Sequence, residues 1–206
     1  MDETGASRRV LAITPDGRSR ALAMLTEAFR DDPVERWLYP DDEGFERHFP
    51  TFLEVFGGRA IEDGTAWRLG DFDAVAMWMA PGAIPDGEAI VSVLRATVSR
   101  ELHADVFATL AEMDAAHPRH PHWYLPWLGV RPGLSGRGLG AELLRSGLAE
   151  VDRTGLPAYL ETPNPRTVSF YERHGFVVTG VTTNRACPPI TFLERPSSVS
   201  VDRSGS

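Results

Sequence analysis

Residues Val130 to Glu142 read VRPGLSGRGLGAE, and this stretch limits the fold more than any other. An apolar segment, Trp123 to Val130, runs into a turn carrying Gly136, Gly138 and Gly140. A helical pattern follows, with Leu139, Leu143, Leu144, Leu148 and Val151 on one side. Strand, glycine turn and helix in that order make an anion cradle. Glycines let the backbone approach a ligand, and the first N–H groups of a helix have no carbonyl partner inside it. The positive end of the helix dipole adds attraction for a phosphate or pyrophosphate. GRGLGA also fits the dinucleotide pattern G-x-G-x-x-G/A, with Glu161 about twenty residues on. Against that reading, Arg131 to Ser135 separate the strand from the first glycine, more than half the chain comes before, and too little follows. No Gly-Lys-Ser/Thr occurs, which excludes an ATP-type phosphate loop.

The 206 residues fit one domain, expected over 8–195 between flexible tails at 1–7 and 196–206. A net charge of −8, from 29 acidic against 21 basic residues, disfavours nucleic acid as a partner. No apolar run approaches a membrane span, the first residues lack a signal-peptide pattern, and the single Cys187 cannot form an internal disulfide. A cytoplasmic protein without a membrane partner is the expectation, as monomer or homodimer. His117, His120 and His122 are separated by prolines and lack a completing cysteine or acid, so no metal is expected.

In chain order, Arg8 to Thr14 reads as a strand and Pro15-Asp16 as the opening of a helix. Helical pieces follow at Val34 to Tyr39 and Glu43 to Phe56, broken by Pro40 and closed by Gly57 and Gly58. Ala66 to Leu69 and Ala74 to Met79 form a hairpin. Helices at Glu88 to Arg100 and Leu102 to Ala116 precede the Trp123 to Val130 strand. After the glycine-turn helix, Ala158 to Thr162 is a strand parallel to it, because a helix crosses between them. Asn164-Pro165 then opens a helix carrying Tyr171 and ending at Gly175, and strands at Phe176 to Thr183 and Ile190 to Glu194 close the chain.

Val130, Pro132, Gly136, Gly138, Gly140 and Leu143 match the pattern Val-x-Pro-x-x-x-Gly-x-Gly-x-Gly/Ala-x-x-Leu, and Asn164, Tyr171, Gly175 and Phe176 match a second. Together they resemble the GCN5-related N-acetyltransferase (GNAT) superfamily of acyl-CoA-dependent enzymes. Within it the chain resembles the puromycin N-acetyltransferase group, through DDPVERWLYPD, DAVAMW, HWYLPWLGV and LETPNPR followed by FYERHGFVVTG. The resemblance implies a mixed α/β fold: a mostly antiparallel sheet of six to seven strands, helices on both faces, and a splayed central strand pair holding acyl-CoA. It implies acetyl-CoA as co-substrate and direct attack by a small-molecule amine, of antibiotic-like or nucleoside type.

By position, the resemblance assigns the pyrophosphate to the backbone of Gly136, Arg137, Gly138, Gly140 and Ala141, and the pantetheine arm to Leu128 and Val130. The Leu128 N–H would meet the thioester carbonyl. Asn164 would contact pantetheine, though a helix-cap role accounts for it equally. Tyr171 would give a proton to the departing thiolate. Where some relatives carry a glutamate base this chain has Tyr124, which leaves a water relay through Tyr124, His122 or Glu161, with Glu161 first to test. Asp31, Asp32, Trp37, Tyr39 and Trp78 are amine-pocket candidates, although the tryptophans read equally as core and the aspartates as helix ends. Ser135 replaces the usual Gln or Arg, with Arg137 as a compensating cation. The alternatives are a non-catalytic CoA-binding regulatory module and an NAD(P)-binding oxidoreductase.

Overall fold

A computed structural model describes residues 9–57, 59–83 and 85–197. The expected tail at 1–7 and most of that at 196–206 lie outside the described residues; Ser197 is described, and its hydroxyl donates to the Gly155 carbonyl. Seven strands form one sheet: β1 (Val10–Ala12), β2 (Ala66–Leu69), β3 (Ala74–Met79), β4 (Trp123–Val130), β5 (Ala158–Thr162), β6 (Val177–Val181) and β7 (Thr191–Arg195), in the order β1-β2-β3-β4-β5-β7-β6. Every described pairing is antiparallel except β4–β5, whose strands are joined by the crossover helix α7 (Leu139–Thr154). A doubly wound parallel sheet, which a dinucleotide fold needs, is therefore not what these strands build.

The apolar run AVAMWM of β3 is buried along its whole length because both faces of the sheet are covered. Val75 and Met77 join a core with α1 (Arg18–Ala28) and α3 (Asp42–Gly57), whereas Ala74, Ala76 and Trp78 join the core under α7. Strand β4 repeats the alternation with one interruption. Met77 pairs with Trp127 but Met79 pairs with Tyr124, so β4 carries one extra residue around Leu125-Pro126. The bulge reverses the facing: Trp123 and Leu125 pack under α7 before it, and Leu128 and Val130 do so after it, while Trp127 turns to the other core. Proline has no N–H for the ladder, which suits it to such a bulge.

Helix α2 (Pro33–Leu38) follows α1, and α5 (Gly87–Thr97) and α6 (His103–Ala116) lie on the face of Trp127. Phe29, Phe49 and Phe52 present edges to the Trp127 indole at centroid distances of 5.1, 5.8 and 6.2 Å. Gly57 does not close a helical region, contrary to expectation. It is the last residue of α3, where a Cβ would come within 2.5 Å of Trp127, and a further helical turn, α4 (Arg59–Glu62), follows. The last helix, α8 (Pro165–Glu172), begins at the predicted Asn164 cap.

Candidate active site

Strands β4 and β5 pair at Trp123↔Ala158 and Tyr124↔Tyr159 and then part. From Leu125 onward the β5-facing edge of β4 has no strand partner among the described residues, and the cleft opens into a cavity of about 680 Å³. Its wall includes Leu128 and Val130 of β4, Ser135, Gly136, Gly138, Gly140 and Ala141 of the turn, and Glu161, Asn164 and Tyr171 beyond it. Gly136 and Gly138 have φ of 76° and 80°, a left-handed conformation in which a Cβ is strained. The first bond inside α7 runs from the Glu142 N–H to the Gly138 carbonyl, leaving the N–H groups of Leu139, Gly140 and Ala141 without a helical acceptor. Gly140 serves a different need, since α7 passes close to β4 there and a Cβ would lie a tight 3.3 Å from the Val130 side chain. Arg137 is exposed on the turn, off the cavity wall.

Tyr171 reaches the cleft from α8, 8% exposed, between the rings of Phe170 and Phe176 at 5.0 and 5.8 Å. Burial pushes its hydroxyl well above the ordinary tyrosine range, so it holds its proton at neutral pH. Asn164 performs the cap: its Oδ1 accepts from the Arg166 N–H at 3.0 Å. That leaves the Nδ2 donor for the cavity that Asn164 also lines.

Tyr124 and Glu161 meet on the opposite wall. The Tyr124 hydroxyl donates to Glu161 Oε2 at 2.6 Å, and burial together with that carboxylate raises the tyrosine well above its usual range. Tyr124 thus keeps its proton, and of the two Glu161 is the acceptor. Behind Glu161 lies His117, its Nδ1 3.8 Å from Oε1. His122 Nδ1 lies 2.8 Å from the His120 carbonyl and must donate to it, so in neutral His122 the Nε2 lone pair accepts from His117 Nε2–H at 3.0 Å. This network leaves the His117 Nδ1 lone pair turned toward Glu161. His122 is held below the ordinary histidine range, mainly by desolvation, which favours that neutral form. Among the described residues no His, Cys, Asp or Glu group of three has metal-site geometry.

At the α2 side the wall carries Asp31, Asp32 and Trp37. Asp32 caps α2, Oδ1 accepting from the Val34 and Glu35 N–H groups at 3.0 and 3.3 Å, and burial raises its carboxyl to about 6. Two acceptor-pocket candidates are corrected. Trp78 is fully buried beneath α7, where a Cβ on Gly147 would strike its indole, and it is off the cavity wall. Tyr39 is 2% exposed, bonds Thr97 Oγ1 at 2.9 Å, and is also off the wall.

One wall residue escapes the sequence reading. Glu35 is 5% exposed, lines the cavity, and its Oε2 has no hydrogen-bond partner among the described residues. Asp32-Pro33-Val34-Glu35 has the spacing of a capping box, in which the glutamate would reach back to the Asp32 N–H. That N–H already donates to the Phe29 carbonyl at 3.0 Å, so no box forms and the carboxyl turns inward.

The acetyltransferase (GNAT) family model matches residues 22–176, which include the whole glycine turn, Glu161 and Tyr171. The chain belongs to the GNAT acetyltransferase family. This GNAT chain is 29% identical over 174 residues to an uncharacterized N-acetyltransferase of Schizosaccharomyces pombe, covering 77% of the chain and 70% of that protein. It is 48% identical to a mycothiol acetyltransferase of Streptomyces avermitilis over only 52 residues, 24% of the chain and 17% of that protein. A solved structure from Corynebacterium glutamicum, described as histone acetyltransferase HPA2 and related acetyltransferase, superimposes with a TM-score of 0.70 at 25% identity, covering 95% of this chain and 99% of that one. The GNAT enzyme therefore transfers acetyl groups on a mixed sheet whose central pair splays at the site. No helix among the described residues is long and apolar enough to cross a membrane.

Proposed function

We propose that the protein is an acetyl-CoA-dependent N-acetyltransferase acting on a primary amine of a small molecule by direct attack. The observation that carries the reading is one cleft with a proton holder, Tyr171, on one wall and a proton acceptor, Glu161, on the other, ahead of the glycine turn. The chain fits acetyl-CoA in two respects: the turn offers the free N–H groups of Leu139, Gly140 and Ala141, and the open edge of β4 offers backbone to an extended arm. Acetyl-CoA, when bound, supplies the activated acyl group.

The chain's own residues do the rest. Gly136, Gly138, Gly140 and Ala141 hold the pyrophosphate through backbone N–H groups, with Arg137 adding charge from outside and Ser135 adding a short hydroxyl. Leu128 and Val130 orient the arm, the Leu128 N–H donates to the thioester oxygen, and Asn164 contributes its Nδ2. An alkylamine is mostly protonated at neutral pH, so Glu161, directly or through a water, takes that proton and His117 Nδ1 relays it outward. Tyr124 holds Glu161 in place. Tyr171 delivers its proton to the departing sulfur.

The resemblance of several sequence blocks to the puromycin N-acetyltransferase group supports an antibiotic-like or nucleoside amine as acceptor. A coupled assay for free thiol, run with acetyl-CoA over an amine library, tests the reading: amine-dependent thiol release and a matching acetylated product are expected. CoA binding without transfer to any amine would instead identify a regulatory module. Stabilisation by NAD(P) in preference to CoA would overturn both.

A further inference from the structure

The cavity has two acidic stations with different surroundings. At one, Glu161 has the Tyr124 hydroxyl and His117 beside it, a route along which a proton can leave. At the other, Asp32 caps α2 and Glu35 stands in its first turn, both on the wall. Among the described residues Glu35 Oε2 has no hydrogen-bond partner, and Asp32 uses Oδ1 for the helix cap. Burial raises both carboxyls, with the like charge of Asp32 adding to the rise at Glu35, and among the described residues no arginine or histidine is ion-paired with either. Glu161 belongs to β5 and bonds Tyr124, whereas Asp32 and Glu35 sit at the α2 end of the same wall. Trp37, Phe56 and Met113 supply apolar wall.

A buried carboxyl without a partner is costly, by several kcal/mol if ionised, and a cation entering the cavity removes that cost. A nitrogen at Glu161 can lose its proton along the histidine pair. A nitrogen at Glu35 meets the carboxyls of Glu35 and Asp32 and keeps its own proton.

We propose that Asp32 and Glu35 form a subsite for a second, protonated nitrogen of the acceptor, so that the substrate class is a primary amine joined through an apolar spacer to another cationic nitrogen. This rests on the acetyltransferase reading above and narrows its acceptor.

The test compares amines that differ only in the second nitrogen: cadaverine against pentylamine, and para-xylylenediamine against para-methylbenzylamine. With acetyl-CoA saturating, kcat/KM is expected to favour each diamine by at least about tenfold, which corresponds to about 1.4 kcal/mol and is well beyond the statistical factor of about two. Glu35→Gln keeps the shape, and Glu35→Leu removes the buried polar group and should melt at or above the wild-type temperature. In both, the diamine-to-monoamine ratio should fall toward about two. A wild-type ratio of two or less, or a ratio that survives both replacements, overturns the subsite. If no amine is acetylated while CoA binds, the acetyltransferase reading fails instead. The subsite is then judged by calorimetry of cadaverine binding to the CoA-loaded chain: binding lost in Glu35→Leu supports it, and no binding overturns it.

Discussion

Tyr171 and Glu161 divide the proton traffic between two walls, and each has a separable signature. The Tyr171 hydroxyl is held protonated by burial against Phe170 and Phe176, so removing it leaves the packing in place. Tyr171→Phe is expected to lower kcat by roughly 10²-fold or more, while calorimetry finds the affinity for acetyl-CoA within about twofold of wild type. An unchanged kcat would remove the hydroxyl from the chemistry. Glu161→Gln still accepts from Tyr124 but no longer takes a proton at neutral pH. Its kcat/KM should drop by roughly 10²-fold at pH 7, and the deficit should shrink as pH rises, because more of the free amine is then already neutral. A deficit that does not change with pH would make Glu161 structural. Glu35 shows why such assignments outrun the sequence: its spacing from Asp32 reads as a helix cap, and only the bond from the Asp32 N–H to Phe29 turns it inward.

At the scale of elements, the cradle and the strands around it are legible, since their causes are local. AVAMWM is apolar at every position because β3 is covered on both faces, and the Asn164-Pro165 cap and the α7 stripe announce their helices. The β4 bulge is not legible, because it reverses the alternation inside one apolar run, and with it which tryptophans face the cavity side. Trp37 reaches the cavity wall and Trp78 does not; the close pass of Gly147 over the Trp78 indole is a tertiary fact. These two kinds of glycine respond differently to the same change. A Cβ on Gly138 meets nothing within 4 Å, so Gly138→Ala suffers only the left-handed backbone, about 1–2 kcal/mol, and should raise KM for acetyl-CoA as the turn distorts. Gly147→Ala drives a methyl into Trp78 and should cost about 1–3 kcal/mol of stability, with KM for acetyl-CoA nearly unchanged in the folded fraction. Chemical denaturation beside acetyl-CoA titration separates the two; the opposite pattern would reverse the roles given to the glycines.

Across the whole molecule, the cavity is walled by residues of both cores, Leu125, Leu139 and Tyr171 from the one under α7 and Phe52, Leu94 and Trp127 from the one on the opposite face, and the α2 acids lie on the latter side. That arrangement couples the site to the stability of the fold. Asp32 releases its proton near 3.8 when unfolded and near 6 when folded, so between those values the native state binds more protons than the unfolded chain. Stability must then fall as pH rises through this window, the reverse of the salt-bridged carboxylate case. Glu35, also raised, extends the loss upward. Tyr39 and Cys187 nearby are pushed up by burial first, and less by these acids, to about 12 and about 11, and stay neutral throughout. The Asp32 contribution is on the order of 2 kcal/mol, from about 1.4 kcal/mol per unit with allowance for its partial exposure. Asp32→Asn keeps a side-chain oxygen for the cap and cannot ionise. Relative to wild type it should gain stability progressively from pH 4 to pH 7 in urea denaturation, the comparison cancelling the titration of groups that Asp32 does not touch. A difference that stays flat over that range would mean that Asp32 is not held protonated by the fold. The same curves repeated with cadaverine should lift the wild-type chain at pH 7 more than Asp32→Asn, because a bound cation stabilises the ionised form that the empty cavity disfavours.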